Sequence, residues 1–147
     1  MKKKEYLIKK AEDLSLIAKD LIPTLKRNEV ILVSGPLGVG KTSLAKEIGK
    51  ALGITQIINS PTFNLVKIYQ EGEFHFYHVD CYRLENASEE SKSLNLDEFV
   101  GKDNHIFFVE WPEYAQATLK KASPVIKIEM TFGDGKERKV VIKDERK

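Results

Sequence analysis

The sequence predicts a three-layer α/β domain with a mixed central sheet and antiparallel hairpins. Strand and helix signals alternate through the first half of the chain, and strands dominate the second. Between them, a glycine-rich turn sits after an all-apolar strand and before an amphipathic helix.

Residues 5–9 suit a short strand. Within residues 11–25, Leu14, Ile17, Ala18, Leu21 and Leu25 recur at spacings of three and four, the pattern of one buried helix face. Pro23 ends or distorts that helix, because its ring clashes with the preceding turn. Val30-Ile31-Leu32-Val33 is an unbroken β-branched and aliphatic run, and a strand apolar on both faces belongs in the middle of a covered sheet. Residues 42–52 place Leu44, Ile48 and Leu52 on one helix side, with Gly53 as C-terminal cap. Residues 54–59 suit another short strand, and Pro61 then breaks regular structure.

Residues 64–70 and 73–80 read as an antiparallel hairpin joined through Glu71-Gly72. Residues 86–95 are polar, a connection or weak helix, and 96–100 suit a helical turn. Residues 105–109 form a second fully apolar strand, after which Pro112 opens a helix over 113–121. The chain ends in a hairpin, 125–132 and 138–142 around Gly133-Asp134-Gly135. There is no internal repeat and no linker, so residues 1–147 are expected to form a single domain.

Composition narrows the function classes. Apolar residues at 41% and charged residues at 31% suit a soluble protein with a packed core. Cys81 is the only cysteine, which excludes an intrachain disulfide and fits a reducing compartment. Twenty-four Lys and Arg against 22 Asp and Glu leave a net charge of +2, too balanced to mark a nucleic-acid binder by electrostatics. The basic start is followed by no apolar run, and no stretch approaches the roughly 20 apolar residues of a membrane span. A cytoplasmic protein that does not engage a membrane is expected.

Gly35-Pro36-Leu37-Gly38-Val39-Gly40-Lys41-Thr42 matches the phosphate-binding pattern G-x-x-x-x-G-K-[ST] in full. Gly35 and Gly40 permit positive φ and let backbone N–H groups approach phosphate oxygens, and Gly38 adds freedom. Lys41 supplies a compact charge to β and γ phosphates, and the Thr42 hydroxyl is a Mg²⁺ ligand type. The helix starting near Lys41 turns its unpaired N–H groups toward the anion. The expected nucleotide-binding set is Gly35, Leu37, Gly38, Val39, Gly40, Lys41, Thr42 and Ser43. A P-loop NTPase-like domain follows. No [NT]KxD segment selects guanine, so adenine is the expected base and ATP with Mg²⁺ the expected cofactor.

Three further segments carry chemistry. Ile106-Phe107-Phe108-Val109-Glu110 is a hydrophobic strand ending in an acid, the usual place for a residue that positions Mg²⁺ or its water, or acts as general base. Trp111 beside it is of a type more often used in packing. In His78-Val79-Asp80-Cys81-Tyr82-Arg83, strand alternation puts His78, Asp80 and Tyr82 on one face, either a polar cluster or a solvent-facing hairpin edge, with Cys81 as a small packing residue. Ser60-Pro61-Thr62-Phe63 is either a loop that senses the γ phosphate or a proline turn with Phe63 as a core plug.

In order, these four segments resemble the TsaE family, P-loop ATPases of bacterial tRNA threonylcarbamoyladenosine biosynthesis. The family pattern runs G-x-L-G-x-G-K-T, S-P-T-[FY], H-x-D-x-Y-R-L and a hydrophobic strand ending E-W, and the match spans about half the chain. Pro36 stands where the family commonly has Asp, Ser43 where a second Thr is common, and Asn95 in place of a glycine. The resemblance implies that Lys41 and Thr42 bind phosphate and Mg²⁺, that Glu110 is the acidic metal-site residue, and that Asp80 lies at the catalytic centre. It implies that Ser60, Pro61, Thr62 and Phe63 form a nucleotide-responsive switch. His78, Tyr82, Arg83 and Trp111 are carried over as motif members.

It further implies an ATPase, slow alone and stimulated by TsaD and TsaB partners, whose hydrolysis resets the complex that modifies adenosine 37 of tRNA. Contact with tRNA is then indirect, and the isolated chain is expected to be a monomer. Two other readings use the same loop: a small-molecule kinase, against which the scattered arginines Arg27, Arg83, Arg138 and Arg146 argue, and a non-catalytic nucleotide-gated assembly factor.

Overall fold

The computed structural model describes residues 2–26, 28–59, 66–71, 74–82, 104–115 and 125–146. Seven strands form one mixed sheet: β1 (Lys2–Ile8), β2 (Asn28–Ser34), β3 (Val66–Tyr69), β4 (His75–Asp80), β5 (His105–Glu110), β6 (Ile126–Phe132) and β7 (Arg138–Asp144). Their order across the sheet is β1-β7-β6-β2-β5-β4-β3. The centre is parallel, with β2 between β5 and β6 and β4 beside β5. Both margins are antiparallel, β3 on β4 and β1–β7–β6.

The apolar run on β2 therefore lies mid-sheet, as its composition demands: Val30, Ile31 and Val33 are buried. Side chains alternate between two clusters. Ile31, Val33, Phe76, Ile106, Phe108, Ile126 and Ile128 face the larger one, where they meet helices α1 (Leu14–Leu21) and α2 (Lys41–Ala51). Val30, Tyr77, Val79, Cys81, Phe107 and Val109 face the smaller one on the opposite side. The two described α-helices thus lie on one face, and residues 83–103 and 116–124 lie outside the described residues.

Helix α1 buries Leu14, Ile17, Ala18 and Leu21, the stripe its spacing predicts. It is shorter than expected: 3-10 turns occupy Ala11–Asp13 before it and Ile22–Thr24 after it, where Pro23 denies the α-helical hydrogen bond. Helix α2 buries Leu44, Ala45 and Ile48 and ends at Gly53, whose φ of 92° only glycine adopts without strain.

Two expectations change. Residues 54–59 form no strand; Ile54 and Ile58 instead plug the larger core from an irregular segment, tied down as the Glu71 carboxylate accepts from the Thr55 and Gln56 N–H groups. After Pro112 there is a 3-10 turn, Pro112–Ala115, and the rest of the expected helix lies outside the described residues. Residues 86–100 do as well. The two predicted antiparallel pairings form, β3 with β4 and β6 with β7, while Gly72 in the expected first turn lies outside the described residues.

Candidate functional site

β2 delivers the chain to the C-terminal edge of the parallel strands, and α2 carries it back; the glycine-rich turn makes the reversal. Gly35 has a φ of 154°, and a Cβ there would stand 2.5 Å from the Met130 carbonyl oxygen on β6, so the backbones approach too closely for any side chain. Gly40 is the N-cap of α2, with no side chain capping it. The first-turn N–H groups and the positive end of the helix dipole consequently favour an anion over the loop.

Lys41 is 5% exposed. Its Nζ donates to the carbonyl oxygens of Gly35 at 2.5 Å and Pro36 at 3.1 Å, and lies 3.7 Å from the centroid of the Trp111 ring. Burial holds its pKa below the ordinary 10.5, while the negative charges of Glu110, Glu113 and Asp80 pull the other way. The ammonium is held by dipoles and a π face, all of which an anionic oxygen outcompetes.

Across from Lys41 stands Glu110, 3% exposed at the end of β5. Its carboxylate accepts from the Thr42 hydroxyl, at 3.1 Å to Oε2 and 3.3 Å to Oε1. His78 Nε2 approaches Oε2 at 2.5 Å. Parallel pairing sets Asp80 beside Glu110, and the Cys81 N–H donates to the Glu110 carbonyl at 3.0 Å. Asp80 Oδ1 accepts from the Tyr82 N–H at 3.0 Å, a local turn that ends β4. Lys41, Thr42, Ser43, Asp80, Glu110 and Trp111 line a cleft of about 280 Å³.

The donor set suits a nucleotide with its metal. The uncapped helix start and buried ammonium fit phosphate oxygens. Thr42 and Glu110, in contact with each other at the cleft, are the residues that could hold a hard cation such as Mg²⁺, which takes only one or two protein ligands beside waters and phosphate oxygens.

Most of the sequence-predicted residues converge here: Gly35, Gly38, Gly40, Lys41, Thr42, Ser43, Asp80 and Glu110 gather around the loop, and Val39 is buried beneath it. Leu37 is exposed at the cleft margin. The solvent-facing alternative for His78 fails, since it is fully buried. Tyr82 does not share its face: β4 stops at Asp80, and the Tyr82 ring turns to Trp111, 5.0 Å between centroids, and Tyr114. Ser60, Pro61, Thr62, Phe63 and Arg83 lie outside the described residues.

Two features escaped the sequence reading. Trp111 packs against the smaller core, as expected of its type, but its place as a roof over Lys41, from a backbone held at φ 56°, was not foreseen. A second cleft, of about 180 Å³, lies on the other side of the loop, between Ile8, Ala11 and Leu14 on one flank and Lys136 and Arg138 on another. Its walls come from opposite ends of the chain, joined by the Ile8–Arg138 register pair of β1 and β7. No local pattern signals that pairing.

The family described as "Threonylcarbamoyl adenosine biosynthesis protein TsaE" matches residues 8–140. Among relatives, "tRNA threonylcarbamoyladenosine biosynthesis protein TsaE" of Bacillus subtilis (strain 168) is 35% identical over 137 residues, covering 93% of this chain and 84% of its own. The protein of the same description from Nostoc sp. is 42% identical over 122 residues, 81% of this chain and 72% of its own. The crystal structure of Bacillus subtilis YdiB superposes with a TM-score of 0.78 at 26% identity, over 99% of this chain and 87% of that one.

Proposed function

The chain belongs to the TsaE family, and from that premise we propose that it is the ATP-binding and ATP-hydrolysing component of tRNA threonylcarbamoyladenosine biosynthesis. The observation that carries this reading is the buried Lys41 ammonium on one side of the cleft, with Thr42, Glu110 and Asp80 gathered on the other.

In this reading the triphosphate lies along the loop, received by the N–H groups at the start of α2 and by Lys41, which exchanges its carbonyl partners for phosphate oxygens. Bound Mg²⁺ supplies charge neutralisation of the phosphates. Thr42 and Glu110 hold it, and Asp80, beside Glu110 on the next strand, is placed to orient an attacking water. The second cleft takes the base, with Ile8, Ala11 and Leu14 as its apolar floor.

Slow turnover alone and stimulation by TsaD and TsaB are what the family resemblance implies, a guanidinium supplied on assembly being one means of stabilising the charge that develops on the transferred phosphoryl group. Phosphate release from ATP, measured with and without a purified TsaD–TsaB complex, tests the proposal. Slow turnover that rises with the complex is expected; no release in either condition would overturn it.

A further inference from the structure

Among the described residues, His78 is a fully buried polar side chain behind the cleft. Its ring is fully buried between Phe76, with centroids 6.5 Å apart, and Phe108 at 5.6 Å. Nε2 meets Glu110 Oε2 at 2.5 Å, and Nδ1 is buried with no hydrogen-bond partner among the described residues. A phenylalanine would fill that space without the cost of an unpaired ring nitrogen, about 1–3 kcal/mol. What imidazole adds is a single donor, aimed at one carboxylate oxygen.

Glu110 needs that donor. A carboxylate 3% exposed requires hydrogen-bond donors. The Thr42 hydroxyl is shared between both oxygens, at 3.1 and 3.3 Å, and so does not select a rotation of the group. His78 contacts Oε2 alone and does select one. We propose that His78 is a positioning residue, which locks the Glu110 carboxylate in the orientation that presents it to the metal beside Thr42. This deepens the function proposed above and rests on it.

The test compares His78→Phe, which keeps the packing and removes the donor, with His78→Gln, which restores an N–H of similar reach. Mn²⁺ affinity is read by electron paramagnetic resonance in the presence of a non-hydrolysable ATP analogue, with urea unfolding measured alongside. The expected result is that His78→Phe stays folded, somewhat less stable in urea because the buried Glu110 loses a donor, and binds Mn²⁺ about 10–100-fold more weakly. His78→Gln should recover most of that loss, and analogue binding without metal should be unchanged in both.

A purely structural role predicts the reverse order, with His78→Phe retaining wild-type Mn²⁺ affinity or His78→Gln proving no better than His78→Phe; either result overturns the proposal. If His78→Phe fails to fold, His78→Leu replaces it in the same comparison. Wild-type protein that binds neither analogue nor Mn²⁺ would overturn the function proposed above and this inference with it. Wild-type binding with an unaffected His78→Phe overturns this inference alone.

Discussion

Lys41 and Cys81 are buried within the same region of the sheet edge, and burial acts on them with opposite chemical results. For the Cys81 thiol, desolvation, reinforced by Asp80, Glu113 and Glu110, pushes the pKa up to about 12. The folded protein should therefore resist alkylation by iodoacetamide at pH 8.5 and react only when urea unfolds it, as followed by mass spectrometry. For Lys41, desolvation favours the uncharged amine and moves its pKa below 10.5. The sign follows directly: nucleotide affinity should fall as pH rises, and the fall should begin before 10.5 is reached. Calorimetric titrations across the alkaline range check this, and affinity flat to beyond 10.5 would exclude Lys41 as the anion's main charge. Trp111, the only tryptophan, roofs this ammonium, so its fluorescence should change when nucleotide draws Lys41 away.

The strand–turn–helix unit from Asn28 to Ala51 was readable because its signals are local. A run of apolar residues, constrained glycines and a 3.6-residue stripe fall within one short stretch, and each dictates its own backbone. The hairpins were readable for the same reason. Residues 54–59 misled because three isoleucines in an irregular segment mimic a strand, whereas Ile54 and Ile58 are held by what they plug and Ile57 is exposed. The His78–Glu110 contact and the Lys41–Trp111 contact depend on the order of strands across the sheet, which no single segment encodes. The element also sets a steric limit. Gly35→Ala would press a methyl against the Met130 carbonyl in a backbone region that side chains avoid. A loss of about 1–3 kcal/mol in urea unfolding is expected, with weakened nucleotide binding. Wild-type stability in that variant would mean that β6 yields at this point.

Over the whole molecule, the sheet joins the first and last of the described strands, β1 pairing with β7. Just beyond β7, Arg146 closes the bottom of the domain: it bonds the Asp144 carboxylate at 2.7 Å, the Thr24 carbonyl at 3.0 Å and the buried Glu29 carboxylate on β2. Arg146→Ala would strand Glu29 without its partner and should cost about 3 kcal/mol in urea unfolding. The Arg146 hydrogen bonds hold the Asp144 pKa below 3.8. A carboxyl so depressed contributes stability that is present above 3.8 and lost as pH falls through its lowered value, so the wild type should lose more stability than Arg146→Ala in that acid window.

This long-range closure also brings Ile8 and Arg138 beside the phosphate loop, so the site is assembled by the complete sheet. The most direct measurement is a calorimetric titration of MgATP into the wild type and Lys41→Ala. Saturable binding by the wild type that is abolished in a folded Lys41→Ala protein is predicted. Equal affinities in the two, or no binding by the wild type, would contradict it.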